Sequence, residues 1–161
     1  MAVLKIITNP HPTLRIKAEE INLEELKDLQ DFIKDMEKTM VKEDGLGLAA
    51  NQVDFPKRIF VINTKEGPLA IINPTLHKKS FKKKWSEEGC LSVPETYGQV
   101  KRHEHLTVKG FNKKGKKLKM KVKGLFSRVV QHEVDHLDGI LFIDKAKKIV
   151  KHDSKMNYEN L

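Results

Sequence analysis

Hydrophobic residues recur at two different spacings along this chain, and the spacing separates helices from strands. Leu23, Leu26, Leu29, Phe32, Ile33, Met36 and Met40 return every three or four residues. That is the period of one helix face, and it predicts an amphipathic N-terminal helix over residues 23 to about 42. Asn22 followed by Glu25 reads as a capping box at its start, and Asp44-Gly45 stops it. Arg58 to Ile62 and Leu69 to Ile72 are short β-branched runs separated by Asn63 to Pro68, a hairpin spacing. Leu106 and Val108, then Leu118, Met120 and Val122, alternate with polar residues around Asn112-Lys113-Lys114-Gly115. This predicts a second antiparallel hairpin with Lys117, Lys119, Lys121 and Lys123 on its wet face. Last, Leu125, Val129, His132 and His136 share one face of a helix from about Leu125 to Leu137 that ends at Gly139.

Two positions on that apolar face are histidines, and a buried imidazole needs a compensating partner. His132 and His136 lie one turn apart in Gln131-His132-Glu133-Val134-Asp135-His136. The pair can hold one metal ion, with Glu133 beside it to move protons. Two ligands do not complete such a site. The extension HExxHxxGxxH matches as far as Gly139 but puts Phe142 at the ligand position, and a downstream glutamate leaves only Glu159 in a polar tail. Cys90, the only cysteine, supplies a better third ligand: a thiolate with two imidazoles leaves one position open, as a catalytic metal requires. The alternatives are two core histidines satisfied by carboxylates, a Cys90 nucleophile with a histidine base, and an HExxH-type metallopeptidase. His103 and His105 alternate on a strand beside Arg102 and Glu104 and read as solvent-exposed, while His11, His77 and His152 have no partner in sequence.

A length of 161 residues with 39% hydrophobic content fits a single domain, 1–161, with a core of its own. The net charge of +9 raises nucleic acid as a partner, but only four of the 31 basic residues are arginine. Base readout draws on arginine forks, so the lysines read as a solvated surface without sequence-specific nucleic-acid binding. A weak attraction to RNA or ribosome surfaces is the alternative. One cysteine forms no internal disulfide, the N-terminus lacks a long apolar leader, and no run approaches a membrane span, so a cytoplasmic protein is expected.

Gly45-Leu46-Gly47-Leu48-Ala49-Ala50-Asn51-Gln52, Glu88-Gly89-Cys90-Leu91-Ser92 and the histidine motif resemble, in order, the three signature motifs of the peptide deformylase family. The resemblance runs from Leu4 to about Asp144. It implies an α+β fold in which antiparallel β-sheets surround a central metal-binding helix, with the N-terminal amphipathic helix packed outside. It implies a metal-dependent hydrolase that removes the formyl group from the N-formylmethionyl end of nascent peptides, acting as a monomer. The metal ligands are then Cys90, His132 and His136, with Fe2+ as the physiological ion and Zn2+, Ni2+ or Co2+ possible in a purified sample. Glu133 is the proton carrier, and the Gln52 amide and the Leu91 backbone N–H bear the oxyanion. Leu46, Gly47 and Gly89 are expected to pair with the peptide backbone, and Leu125 and Val129 to form the methionine pocket. Glu88 and Asp135 are candidates for orienting the histidines. Tyr97 stands where many members have an arginine, and Lys101 precedes Arg102 where a proline is frequent, departures that bear on peptide preference. The basic segment Lys145 to Lys151 is shorter than the C-terminal helix some members use to dock on the ribosome.

Overall fold

The period-two and period-3.6 patterns both find their elements in the computed structural model, which describes residues 2–152; Glu159 lies outside them. Among the described residues, eight strands and two α-helices form an α+β unit. A five-stranded antiparallel sheet contains, in spatial order, β1 (Gly47–Ala49), β2 (Ile59–Thr64), β3 (Gly67–His77), β6 (His105–Phe111) and β7 (Lys117–Lys123). A three-stranded antiparallel sheet contains β4 (Lys83–Cys90), β5 (Val93–His103) and β8 (Lys147–Lys151).

The run Ile59 to Ile62 is apolar throughout because both faces of β2 are covered. Phe60 and Ile62, with Ile71 of β3, pack against Val129, Val130, Val134 and Leu137 of α2 (Gly124–Leu137). Ile59 and Val61, with Ala70 and Ile72, pack against Ile33, Met36 and Met40 of α1 (Gln30–Lys42). Each fully buried side chain of this kind stabilises the fold by roughly 1.5–3 kcal/mol. The other flank of α2 meets β5, where Arg128 donates to the Val100 carbonyl and Gln131 to the His103 carbonyl. Helix α2 is thereby held between the two sheets, and its histidines face the end of β4.

The expected helix over 23–42 is regular only from Gln30; Leu23–Leu29 is a 3₁₀ turn. Asn22 Oδ1 accepts from the Glu24 N–H, one residue short of the capping-box partner. Gln30 Nε2 donates to both the Leu26 and the Lys113 carbonyls, so a contact with the distant β6–β7 turn sets where the α-helix begins. The two predicted hairpins form, and the alternate lysines of β7 are exposed as expected. The basic segment after Lys145 is a strand, β8, paired with β5.

Candidate metal centre and active site

Three elements converge on one point. The β4 strand ends at Cys90, α2 supplies His132 and His136, and the loop around β1 supplies Gly47 and Gln52. Cys90 Sγ lies 3.3 Å from His136 Nε2, which lies 3.2 Å from His132 Nε2. The three atoms are within 4.8 Å of one another. Deprotonated, all three are acceptors pointing at a common centre, an arrangement that a shared proton or a single cation stabilises. A thiolate and two imidazoles are a donor set suited to a divalent transition metal, so the residues fit such an ion.

The imidazoles differ in their support. His132 donates through Nδ1 to Glu88 Oε1 at 2.9 Å, which leaves its Nε2 free to face Cys90 and His136. Burial lowers the His132 pKa, but the hydrogen bonds to Cys90 and Glu88 outweigh it and raise it to about 10. His136 is pushed well below the ordinary range by burial and by His132, and its Nδ1 has no partner among the described residues. Burial also pushes the Glu88 carboxyl up, yet His132 and Arg102 hold it well below the usual range. Arg102 grips Glu88 at 3.0 and 2.9 Å and pairs with Asp135, and Arg128 adds a bond to Glu88 at 2.7 Å.

This arginine pair is what sequence reasoning missed. Arg102 has no role in the sequence reading beyond standing beside His103, and it is 3% exposed. Alternation along β5 carried the signal: Val100 and Arg102 point the same way, toward α2, while Lys101 points outward. Asp135 touches neither histidine and pairs with Arg102 and Lys145, so it reaches His132 only through Arg102 and Glu88. His103 is half-buried, with Nδ1 against the Ser80 carbonyl at 2.6 Å, rather than fully solvent-exposed. Phe142, the position of the hypothetical downstream ligand, is buried with its ring stacked near His132, centroids 6.2 Å apart.

Glu133 is buried beside the triad, and its Oε2 has no hydrogen-bond partner among the described residues. Burial, the largest influence, raises its pKa to about 7. Gly47 makes this placement possible, since a Cβ there would lie 2.6 Å from Glu133 Oε1. Gln52 is equally fixed. Its Oε1 accepts from the Ala49 N–H at 2.9 Å, which turns Nε2 toward Ser92 Oγ at 3.2 Å and Cys90 Sγ at 3.6 Å. A cavity of about 400 Å³ opens from these groups to solvent. Leu46, Gly47, Gln52, Gly89, Leu91, Leu125 and Val129 all line it. Val129 forms the buried part of the wall, and Leu46 and Leu125 are exposed at the mouth.

The chain is similar throughout its length to known proteins. The sequence profile of polypeptide deformylase matches residues 3–152. A peptide deformylase of Desulforudis audaxviator is 42% identical over 152 residues, covering 94% of this chain and 98% of that one. Peptide deformylase 1 of Bacillus subtilis is 38% identical over 161 residues, 99% of each chain. The crystal structure of the peptide deformylase from Thermotoga maritima superposes with a TM-score of 0.87 at 36% identity, covering 91% of this chain and 99% of that one.

Proposed function

The chain belongs to the polypeptide deformylase family, and from that premise we propose how its own residues carry out the reaction. The activity is metal-dependent hydrolysis of the formyl amide at the N-terminus of newly synthesised polypeptides. The observation that carries the residue assignment is the meeting of Cys90 Sγ and two Nε2 atoms within 4.8 Å, at the floor of a cavity shared with the unpartnered Glu133.

Cys90, His132 and His136 hold the ion, and Fe2+ is the ion we propose, with Zn2+, Ni2+ and Co2+ suited to the same donors. When bound, it supplies Lewis acidity that acidifies water and polarises a carbonyl. Glu88 keeps His132 in the tautomer that presents Nε2, and Arg102 and Arg128 keep Glu88 ionised for that task. Glu133 takes the proton of the attacking water on a carboxylate oxygen and returns it to the departing amine, so one residue serves both halves of the hydrolysis. The oxyanion that develops between them is met by Gln52 Nε2, aimed by the Ala49–Gln52 hydrogen bond, and by the Leu91 backbone N–H. Such a donor is worth about 3 kcal/mol of barrier. Leu46, Gly47 and Gly89 pair with the substrate backbone, and Leu125 and Val129 receive the methionine side chain.

The test is formate release from formyl-Met and acetyl-Met peptides, with metal analysis after anaerobic purification. Formyl substrates should react far faster, because an extra methyl at the reacting carbon displaces it, and a displacement on the order of 1 Å costs ~100-fold. Equal rates, or cleavage at internal bonds, would return the chain to the metallopeptidase reading. No described helix is long and apolar enough to cross a membrane. We propose a cytoplasmic monomer meeting nascent chains near the ribosome surface, which sedimentation with and without ribosomes tests directly.

A further inference from the structure

The loop between β3 and β4 displays a phenylalanine where folding gains nothing from it. Phe81 is fully exposed, more so than any other large apolar side chain among the described residues. The loop that carries it is fixed rather than loose. Ser80 is buried; its N–H donates to the His105 carbonyl at 2.9 Å and its hydroxyl to the Lys82 carbonyl at 2.7 Å. His103 Nδ1 meets the Ser80 carbonyl, and the Glu104 N–H donates to the Lys82 carbonyl at 3.2 Å. Phe81 is therefore held out between two anchored neighbours. Five lysines surround it in Lys78-Lys79-Ser80-Phe81-Lys82-Lys83-Lys84-Trp85, and the segment contains no acidic residue. Lys82 pairs with Glu104, whereas Lys78, Lys79, Lys83 and Lys84 are exposed and make no ion pair with another described residue. Lys83 and Trp85 share the outer face of β4, and Trp85 pairs with Lys101 of β5. The ammonium groups of Lys101 and Lys147 lie 5.9 and 5.2 Å from the centre of the Trp85 ring. The positive surface continues past the loop, since His77 pairs with Thr107 and Thr107 with Lys121, with exposed Lys119 and Lys123 on either side.

We infer that the segment from Lys78 to Trp85 binds single-stranded RNA without regard to sequence, Phe81 stacking on an unpaired base while the lysines hold the phosphates on either side. Lysines without an arginine supply point charges for phosphate but no fork for a base edge. An aromatic ring fixed in the open offers every base the same face, and a side chain on an already ordered loop loses little freedom on binding. A bilayer is a poorer match, because one exposed ring buries too little apolar area to anchor on lipid. Paired RNA keeps its bases stacked and leaves Phe81 without a partner. The choice of RNA over DNA rests on the proposed action on newly made chains; the chemistry of the patch does not. None of residues 78–85 lines the active-site cavity, so binding here leaves the hydrolytic site free.

The experiment is fluorescence anisotropy of a short labelled oligouridylate, with Trp85, the only tryptophan, as an internal reporter. Binding should have a Kd of about 1–100 μM near physiological salt and change the Trp85 emission. The slope of log K against log salt should be about −3, the value for four lysines on a single strand. Phe81→Ala, which removes nothing from the core, should weaken binding about tenfold and leave the slope unchanged. The quadruple variant Lys78→Gln, Lys79→Gln, Lys83→Gln, Lys84→Gln should remove most of the slope, whereas the same change at the exposed Lys5, Lys17, Lys27 and Lys42 should not. Both patch variants should release formate from free formyl-Met peptides at the parent rate. Absence of binding at low salt, an indifferent Phe81→Ala, equal losses in the two quadruple variants, or displacement of the RNA by anionic lipid vesicles overturns the inference. RNA binding in a protein that releases no formate would count against the deformylase reading alone, an outcome distinct from all of these.

Discussion

Gly47→Ala separates the placement of Glu133, the proposed proton carrier, from the proposed metal ligands. The added Cβ would lie 2.6 Å from Glu133 Oε1 and 2.9 Å from its Cδ and Cγ. Reaching an ordinary contact of 3.4 Å requires the carboxyl to move by about 0.8 Å. A carboxyl buried to this degree moves only by pushing on packed neighbours, an overpacking cost of about 1–3 kcal/mol. Catalysis should suffer more, since a misplacement on the order of 1 Å costs ~100-fold. The three atoms nearest the new methyl all belong to Glu133 and none to Cys90, His132 or His136, so the ion should stay. The expected result is a folded protein with one equivalent of metal and formate release reduced ~100-fold in kcat. Metal analysis, thermal unfolding and steady-state kinetics on one preparation check all three. A variant with kcat within a few-fold of the parent would refute the claim that the position of Glu133 limits the reaction, and loss of metal would show that Gly47 supports the ligands instead.

Four further outcomes are expected. Glu133→Ala should retain the ion and lose turnover by several orders of magnitude, because both proton transfers lose their carrier while the ligand set is intact. Cys90→Ser should weaken metal retention and activity together, and chelation of the parent should abolish formate release until iron, nickel or cobalt is restored; full activity in the metal-free protein would make Cys90 a nucleophile after all. Arg102→Met should destabilise the fold by about 3 kcal/mol in urea titration, since it takes the two-pronged partner from the buried Glu88 and leaves that carboxylate to Arg128 and His132, and Asp135 to Lys145. Asp144 is held below its ordinary pKa first by the Arg15 hydrogen bond, so its contribution to stability is present above the unfolded value and lost as pH falls through the folded one. Arg15→Ala should raise the Asp144 titration midpoint by NMR and erase that contribution from the acid limb, whereas an unmoved midpoint would show that the exposed pair does not interact in solution.

The parts legible in the sequence are those set by neighbours along the chain. His132 and His136 share a helix face because 3.6 residues make a turn, and α2 forms where the pattern puts it. The β6–β7 hairpin follows from alternation around a four-residue turn, and Cys90 entered the ligand set because no downstream ligand followed the histidines and three ordered motifs resembled one family. The start of α1 was not legible, because Gln30 is tied to the Lys113 carbonyl, 83 residues away. Nor was the β5–β8 pairing, which joins a lysine-rich segment to a strand about fifty residues earlier.

The sequence by itself determined the chemistry available to this protein: two imidazoles and a carboxylate on a helix whose local pattern is clear, with a thiol and an amide in motifs that resemble one family. Only the tertiary structure decided what supports them. Arg102 reads as one more surface cation in Lys101-Arg102-His103, yet β5 turns it inward to Glu88, 14 residues away, and Asp135, 33 residues away. Burial then makes that pair matter, since a carboxylate withdrawn from water stays ionised only beside fixed positive charge. Glu133 shows the converse. The same burial, with no partner for its Oε2 among the described residues, leaves it with a pKa of about 7. Desolvation depends on every element packed around a group, and no local pattern along the chain encodes it.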